Sequence, residues 1–161
     1  MNNTDITNLI VKVLSKLNIN EVCLCPGARN SPIISAFSKT DANLYSILDE
    51  RSAGFYALGI AKIKREPVVV CCTSGTALGN LFPAIIEARM SEIPLIVITA
   101  DRPKRMIGKG ENQTIYQNNI YGKYVRSYID IDGTKDTKES IIAKITTIAN
   151  SSLGKIIDKF L

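Results

Sequence analysis

The sequence predicts an α/β fold: a three-layer, doubly wound sandwich in which helices cover both faces of a mainly parallel sheet. Short apolar runs alternate along the chain with stretches whose apolar residues recur at helical spacing. Two of the runs, "PVVVCCT" and "PLIVITA", are almost continuously apolar, as expected for strands buried on both faces. Strands and helices that alternate at this spacing form βαβ units with right-handed crossovers, and therefore a parallel sheet.

The predicted elements follow one another in a regular order, and local signals mark several of their boundaries. Ser31 and Pro32 suit the cap and the first residue of the second helix, and Asp49 can cap the third. Pro83 either kinks the fourth helix or marks a late start within it. The predicted strands are "EVCLC" (21–25), "NLYSIL" (43–48), "PVVVCCT" (67–73), "PLIVITA" (94–100) and "KYVRSYI" (123–129). The predicted helices are "VKVLSKL" (11–17), "SPIISAFSK" (31–39), "ERSAGFYALGIAKIK" (50–64), "SGTALGNLFPAIIEARMS" (74–91) and "TKESIIAKITTIAN" (137–150).

The composition fits one globular domain and argues against several classes of function. The chain has 161 residues, of which 45% are hydrophobic and 22% charged, enough to build a single core. No apolar run reaches the about 18 residues of a membrane span, and the N-terminus does not resemble a signal peptide. We therefore expect a cytoplasmic protein without a membrane partner. The net charge of +5 is spread among acidic residues, which predicts no nucleic-acid partner.

The use of cysteine and histidine narrows the chemistry further. Cys23, Cys25, Cys71 and Cys72 lie in apolar runs without C-x-x-C spacing, which predicts buried free thiols. Histidine is absent, so histidine-based triads and histidine metal sites are excluded. Any chemistry must therefore use carboxylates, amides, arginine or a cofactor.

Unusual residues collect in four segments that follow predicted strands, where parallel sheets bind ligands. In "CPGARNSP", Arg29 either holds a carboxylate or phosphate at a helix start or is solvated. "TSGTALGN" lacks the P-loop and G-x-G-x-x-G patterns, and Ser74 or Thr76 can simply cap its helix. The polar segment "ADRPKRMIGKGENQT" either contacts a ligand or is disordered.

The fourth segment, "LDERS", allows two interpretations of Glu50. It can be an ordinary acid in the first turn of a helix capped by Asp49, where a negative charge is favourable. Alternatively, its carboxylate carries out chemistry. The helix behind it favours the second interpretation, because its glycines weaken it unless a neighbour, such as a partner subunit, packs very close. Its small residues are Ala53, Gly54, Ala57, Gly59 and Ala61.

Five stretches together resemble the N-terminal pyrimidine-binding domain of thiamine-diphosphate enzymes. They are "CPGARNSPI", "LDERSAGFYALGIAK", "VVVCCTSGTALGNLFPAIIEA", "PLIVITADRP" and "GENQTIYQ…YGKYVR", and they keep the family's order over residues 5–128. Within that superfamily they look like the menaquinone-pathway synthases, which condense 2-oxoglutarate with isochorismate and release carbon dioxide. The resemblance implies a thiamine-diphosphate-dependent transferase that forms a carbon–carbon bond.

The resemblance also implies roles for individual residues on the cofactor side. Glu50 matches the glutamate that hydrogen-bonds the aminopyrimidine of the cofactor and so promotes loss of the thiazolium proton. Pro26, Thr76 and Asn80 match positions that line the pyrimidine.

On the substrate side, Arg29, Arg102, Asn112 and Gln113 match positions that hold the substrates. Both substrates are anionic, so the two arginines suit them chemically. Ala28 departs from the family, which usually has serine there, and one hydroxyl contact to substrate is then missing.

The family's chains are several times longer than this one and carry linker and diphosphate-binding domains. The acidic motif that binds Mg²⁺ lies on those domains and has no match here. The resemblance therefore implies that residues 1–161 are one pyrimidine-binding domain of a longer enzyme, inactive alone, that self-associates through the Arg51–Lys64 helix. It implies a homodimer or homotetramer, in which the diphosphate-binding domain of a second subunit completes the site. Two alternatives remain open: a stand-alone subunit of a two-chain 2-oxoacid decarboxylase, and a non-enzymatic interaction module.

Overall fold

In a computed structural model, which describes residues 1–158 and side chains as far as residue 152, four parallel strands form one sheet. The strands are β1 (Glu21–Leu24), β2 (Asn43–Ser46), β3 (Val68–Cys72) and β4 (Leu95–Thr99), in the order β2-β1-β3-β4. The helices are α1 (Asn3–Lys16), α2 (Ser31–Phe37), α3 (Glu50–Lys64), α4 (Thr76–Asn80), α5 (Phe82–Met90) and α6 (Lys138–Asp158). Short 3₁₀ turns lie at Lys104–Met106 and Gly122–Tyr124.

Helices cover both faces of the sheet because the side chains of β1 and β3 alternate between two apolar layers. Val22, Leu24 and Val69 face the layer of α1, α2 and α6. Val70 and Cys72 face the layer of α3, α4 and α5. Every residue of β1 and β3 is buried, and each such aliphatic side chain contributes about 2 kcal/mol of hydrophobic stabilisation. The predicted three-layer, doubly wound α/β fold is confirmed.

The small residues of α3 pack inside the chain. Gly54 lies against α5 so closely that a Cβ on it would be 2.6 Å from the Cβ of Ala84. Ala53, Ala57 and Ala61 are buried in the core between α3 and the sheet. The close neighbour that the small residues predict is therefore present, but for most of them it is supplied by other elements of the same chain. Gly59 differs, since nothing lies within 4 Å of a Cβ placed there.

The strand predicted at residues 123–129 is wrong for the described chain. The structure has the 3₁₀ turn Gly122–Tyr124 there, followed by backbone that joins no sheet. A cavity of about 690 Å³, lined by β4 and by residues 125–131, lies where the two would pair. The rings of Tyr121 and Tyr124 instead pack on Phe82 of α5, with centroids 5.6 and 5.7 Å away.

Helix boundaries follow some of the local signals and depart from others. Pro83 lies in the first turn of α5 and separates it from α4, so it marks a late helix start. The cap predicted at Ser31 is wrong, because Ser31 is already helical and its hydroxyl donates to the carbonyl of Ala28 at 2.9 Å. The last helix runs to Asp158, beyond the predicted end at residue 150. Within residues 1–158, none of the helices combines the length and apolar character needed to cross a membrane.

Candidate functional site

The four polar segments meet at the carboxyl end of the sheet, and side-chain hydrogen bonds connect them. Asn80, at the end of α4, donates to the carboxylate of Glu50 at the start of α3, over 3.2 Å. Arg29, in the turn after β1, donates from Nη1 to Oε1 of Gln113 over 2.7 Å. Ser74, after β3, donates to the backbone carbonyl of Gln113 over 3.0 Å. The sheet thus brings together residues that are up to 84 positions apart in sequence.

Asp49 fixes the position of Glu50 by capping α3, as the sequence predicts. Its carboxylate accepts from the backbone N–H groups of Arg51 and Ser52, at 2.9 and 3.3 Å. It also pairs with the Arg51 guanidinium, whose hydrogen bond lowers the pKa of Asp49 to about 2. Because Asp49 takes the cap and Arg51 neutralises it, the half-buried Glu50 is left to face Asn80.

Two buried thiols, those of Cys25 and Cys72, lie near enough to Glu50 to interact with its charge. Burial raises the pKa of Cys25 to about 12, and the nearby negative charge of Glu50 adds to the rise. Burial likewise raises the pKa of Cys72, with a smaller contribution from Glu50. These thiols therefore stay protonated, and the predicted free, buried cysteines are confirmed. Among the described residues, no group of three or more acidic, cysteine or histidine residues could hold a metal ion.

The other residues matched to the cofactor side lie on the accessible surface, and one of them, Asn80, contacts Glu50. Pro26, Thr76 and Asn80 are exposed, at the end of β1 and along the short α4. The caps proposed for α4 are wrong, because the cap position is occupied by Gly75, which has no side chain to accept a hydrogen bond from the helix. The hydroxyl of Ser74 is committed to Gln113 instead.

The residues matched to the substrate side form a second group, around Arg29 and Gln113. Arg29 and Arg102 line one end of the cavity beside β4, which Glu50 and Asn80 do not reach. The Nε of Arg102 is buried and has no hydrogen-bond partner among the residues that the structure describes, so this guanidinium can still donate to an anion. Asn112 is exposed.

Two residues of the site escaped the sequence analysis in these roles. Ser74 was predicted only as a possible helix cap, and Gln117 ends the stretch "GENQTIYQ" without an assigned role. Both are buried, and both bridge the α4 start to the loop after β4. No local pattern indicates these contacts, because their partners are 39 and 42 residues away in sequence.

Fold and site together define a parallel α/β domain that presents a carboxylate, amides and arginines at the carboxyl end of its sheet. A family model described as the thiamine pyrophosphate enzyme N-terminal TPP-binding domain matches residues 4–120. The chain therefore belongs to this family, whose cofactor is also called thiamine diphosphate.

Relatives narrow the comparison to one kind of synthase. The chain is 43% identical over 135 residues to the 2-succinyl-5-enolpyruvyl-6-hydroxy-3-cyclohexene-1-carboxylate synthase of Bacillus pumilus, covering 81% of this chain and 23% of that protein. The synthase of the same name from Lysinibacillus sphaericus is 42% identical over 158 residues, covering 94% and 28%. The chain thus spans about a quarter of the length of these relatives. The resemblance to this synthase that the motifs indicated is confirmed.

A solved structure supports the fold assignment. The benzoylformate decarboxylase of Polynucleobacter necessarius superposes with a TM-score of 0.67 at 26% identity, covering 76% of this chain and 23% of that one.

Proposed function

We propose that this chain is the pyrimidine-binding domain of a thiamine-diphosphate-dependent transferase that condenses 2-oxoglutarate with isochorismate, in menaquinone biosynthesis. The observation that carries the proposal is the placement of Glu50, whose carboxylate is held at the start of α3 beside Asn80 and near the buried thiols of Cys25 and Cys72. Residues 1–161 would be one domain of a longer enzyme, whose metal ligands would lie on another domain. The cytoplasmic location expected from the sequence belongs to the same proposal.

The residues around Glu50 fit an aminopyrimidine. A carboxylate has about four acceptor positions, and Glu50 receives one hydrogen bond, from Asn80, among the described residues. The remaining positions can accept an N–H of the ring, and the N-terminal end of α3 favours a negative charge there. The resemblance assigns Pro26, Thr76 and Asn80 to the same side of the cofactor, and all three are exposed.

Bound thiamine diphosphate supplies the carbon nucleophile that no side chain of this polypeptide provides. The role of Glu50 is to hold a hydrogen bond to the pyrimidine ring and so to favour movement of a proton at its amino nitrogen. The Asp49 cap keeps Glu50 in place, and Asn80 fixes the orientation of its carboxylate. Cys25 and Cys72 are buried and stay neutral, so they add no charge near Glu50.

Arg29, Arg102, Asn112 and Gln113 form the proposed substrate side. Arg29 and Arg102 can each donate two parallel hydrogen bonds to a carboxylate, which both proposed substrates carry. The buried Nε of Arg102, which has no partner within the described part of the chain, suits such a contact. The amides of Asn112 and Gln113 add neutral donors and acceptors that can distinguish the two anions.

Two partners complete the proposal. The Mg²⁺ ion and the cofactor diphosphate would bind the diphosphate-binding domain of a second subunit. Self-association would use the outer face of α3, where Phe55, Tyr56 and Ile63 are 50, 50 and 83% exposed beside Gly59. Sedimentation of the chain at tens of micromolar tests this contact, and a clean monomer would count against it.

The proposed function is tested in a chimera in which this chain replaces the matched segment of the Bacillus pumilus synthase. We expect product from 2-oxoglutarate and isochorismate, and a loss of at least about 100-fold in kcat for Glu50→Gln, since a positioned acid–base group typically contributes that much. Glu66→Gln, which removes an exposed carboxylate just beyond α3, is the matched control and should change kcat less than 2-fold. Product formation that survives Glu50→Gln within a few-fold would contradict the proposal.

A further inference from the structure

The loop after β4 is tied to the start of α4 by two buried side chains to which the proposed reaction gives no role. The hydroxyl of Ser74 donates to the backbone carbonyl of Gln113 over 3.0 Å. The amide of Gln117 accepts from the backbone N–H of Gly75 over 3.3 Å and donates to the carbonyl of Ala100 over 2.9 Å. Ser74 is 1% exposed and Gln117 is 6% exposed, so water does not compete for these bonds. We call Ser74 and Gln117 the clasp.

Two residues that the clasp contacts, Gly75 and Gln113, have backbone conformations with positive φ that need support from their neighbours. Gly75 has a φ of 81°, and a Cβ on it would lie 3.1 Å from the backbone of Gln113. Gln113 itself has a φ of 53°, in the left-handed region that residues other than glycine rarely adopt. Such a conformation persists where surrounding contacts hold it, and Ser74 makes one of those contacts directly.

The clasp is connected to Arg29 through Gln113. The backbone of Gln113 is bound by Ser74, while its side-chain oxygen accepts from Nη1 of Arg29 over 2.7 Å. A guanidinium is planar, so its N–H groups move together, and the bond from Nη1 to Gln113 restricts the directions in which the others can point. A shift of the Gln113 backbone would therefore turn Arg29 away from its present direction.

We propose that Ser74 and Gln117 are positioning residues, which hold Gln113 so that its amide orients Arg29 toward a carboxylate of the substrate. This inference rests on the proposed function, since it takes Arg29 and Gln113 as substrate contacts. It assigns the clasp to substrate binding. The Ser74 bond leads through Gln113 to Arg29. The Gln117 bonds hold Gly75, which lies directly against the Gln113 backbone. Loss of the clasp should raise KM for the anionic substrates and leave kcat nearly unchanged.

The first test measures KM and kcat for both substrates in the chimera carrying Ser74→Ala or Gln117→Glu. Gln117→Glu keeps the size of the side chain and its acceptor for Gly75, but loses the donor to Ala100. We expect each variant to raise KM by about 5-fold or more, the effect of one hydrogen bond, with kcat within 2-fold. Ser74→Ala removes a single oxygen, so it keeps the test valid if Gln117→Glu does not fold.

The controls are Ser38→Ala and Asn118→Asp, which change the same chemical groups outside the clasp. The hydroxyl of Ser38 bonds within α2, and the side-chain oxygen of Asn118, in the residue after Gln117, accepts from Tyr128. Both controls should leave KM unchanged. KM values within 2-fold of wild type in both clasp variants would overturn the positioning role, even if the loop became more mobile.

The second test does not depend on the reaction. Hydrogen–deuterium exchange of residues 108–117 in the 161-residue chain should be at least about 5-fold faster in the clasp variants than in wild type and in Asn118→Asp. If the wild-type chimera makes no product, the proposed function fails and the clasp is judged by exchange alone. Faster exchange then supports only the structural part of the proposal, that the clasp holds residues 108–117 in place, and unchanged exchange overturns that part as well.

Discussion

Two glutamates at opposite ends of the sheet show how one residue type serves structure in one place and is left available in another. Glu21, at the start of β1, is 4% exposed and accepts from Asn43 at 2.7 Å, from Tyr45 at 2.9 Å and from the ammonium of Lys64. Glu50, at the start of α3, is half-buried and accepts from Asn80 alone among the described side chains, over 3.2 Å. A carboxylate that accepts from three donors stabilises the fold and has little capacity left for a ligand. One that accepts from a single donor can still bind a ligand.

The electrostatics of Glu21 follow from its surroundings. Burial is the largest single influence and raises the pKa of Glu21, but the hydrogen bonds from Lys64, Asn43 and Tyr45 together outweigh it. The net pKa of Glu21 therefore lies below its ordinary value. The same hydrogen bond, in which Lys64 donates to Glu21, raises the pKa of Lys64. Glu21 thus joins β1, the edge strand β2 and the end of α3.

The largest contrast in stability should come from removing each charge in turn. Glu21→Gln leaves Lys64 without its counterion, and we expect the free energy of unfolding to fall by about 2 kcal/mol. Thermal denaturation should show a Tm lower by about 6 °C. Glu50→Gln should change the Tm by less than about 1 °C, since it affects one long, accessible bond.

The comparison fails if the two glutamates respond alike. Equal changes in Tm for Glu21→Gln and Glu50→Gln would mean that Glu50 also stabilises the fold. Exposed Glu66 supplies the baseline, because Glu66→Gln removes a carboxylate of the same size and should leave the Tm unchanged.

A smaller effect should appear in the pH dependence of stability. Because folding lowers the pKa of Glu21, its contribution is present above the unfolded value near 4.5 and is lost as pH falls through the folded value. Because folding raises the pKa of Lys64, its contribution is present below 10.5 and is lost as pH rises through the folded value. Urea unfolding of wild type and Glu21→Gln should therefore differ by a constant amount between pH 5 and 9, and the difference should shrink below about pH 4. A difference that grows on acidification would contradict this account of Glu21.

The sequence predicted the fold well because its signals are local. The continuous apolar runs at β3 and β4 and the cap at Asp49 each depend on neighbouring residues, and the structure agrees with them. The strand expected at residues 123–129 failed because pairing depends on a distant partner, and β4 is separated from this segment by a cavity.

The meeting of the polar segments was predictable from the sequence, and their individual contacts much less. The strand ends predicted that these segments share the carboxyl end of the sheet, and the motif resemblance selected Glu50 from the three charges at residues 49–51. The bonds from Asn80 to Glu50 and from Ser74 to Gln113 join residues 30 and 39 positions apart, which no local pattern encodes. The small residues of α3 predicted a close neighbour but not which chain supplies it, because close packing within a chain and close packing between chains select the same residue types.

The central claim is that Glu50 serves the cofactor, and proton exchange at the cofactor tests it most directly. In the chimera loaded with thiamine diphosphate and Mg²⁺, the thiazolium C–H exchanges with deuterium at a rate that quenched-flow NMR can follow. The account predicts that Glu50→Gln slows this exchange by at least about 100-fold, while Glu21→Gln leaves it within 2-fold of wild type in the folded fraction. Equal exchange rates in wild type and Glu50→Gln, with cofactor bound to both, would contradict it.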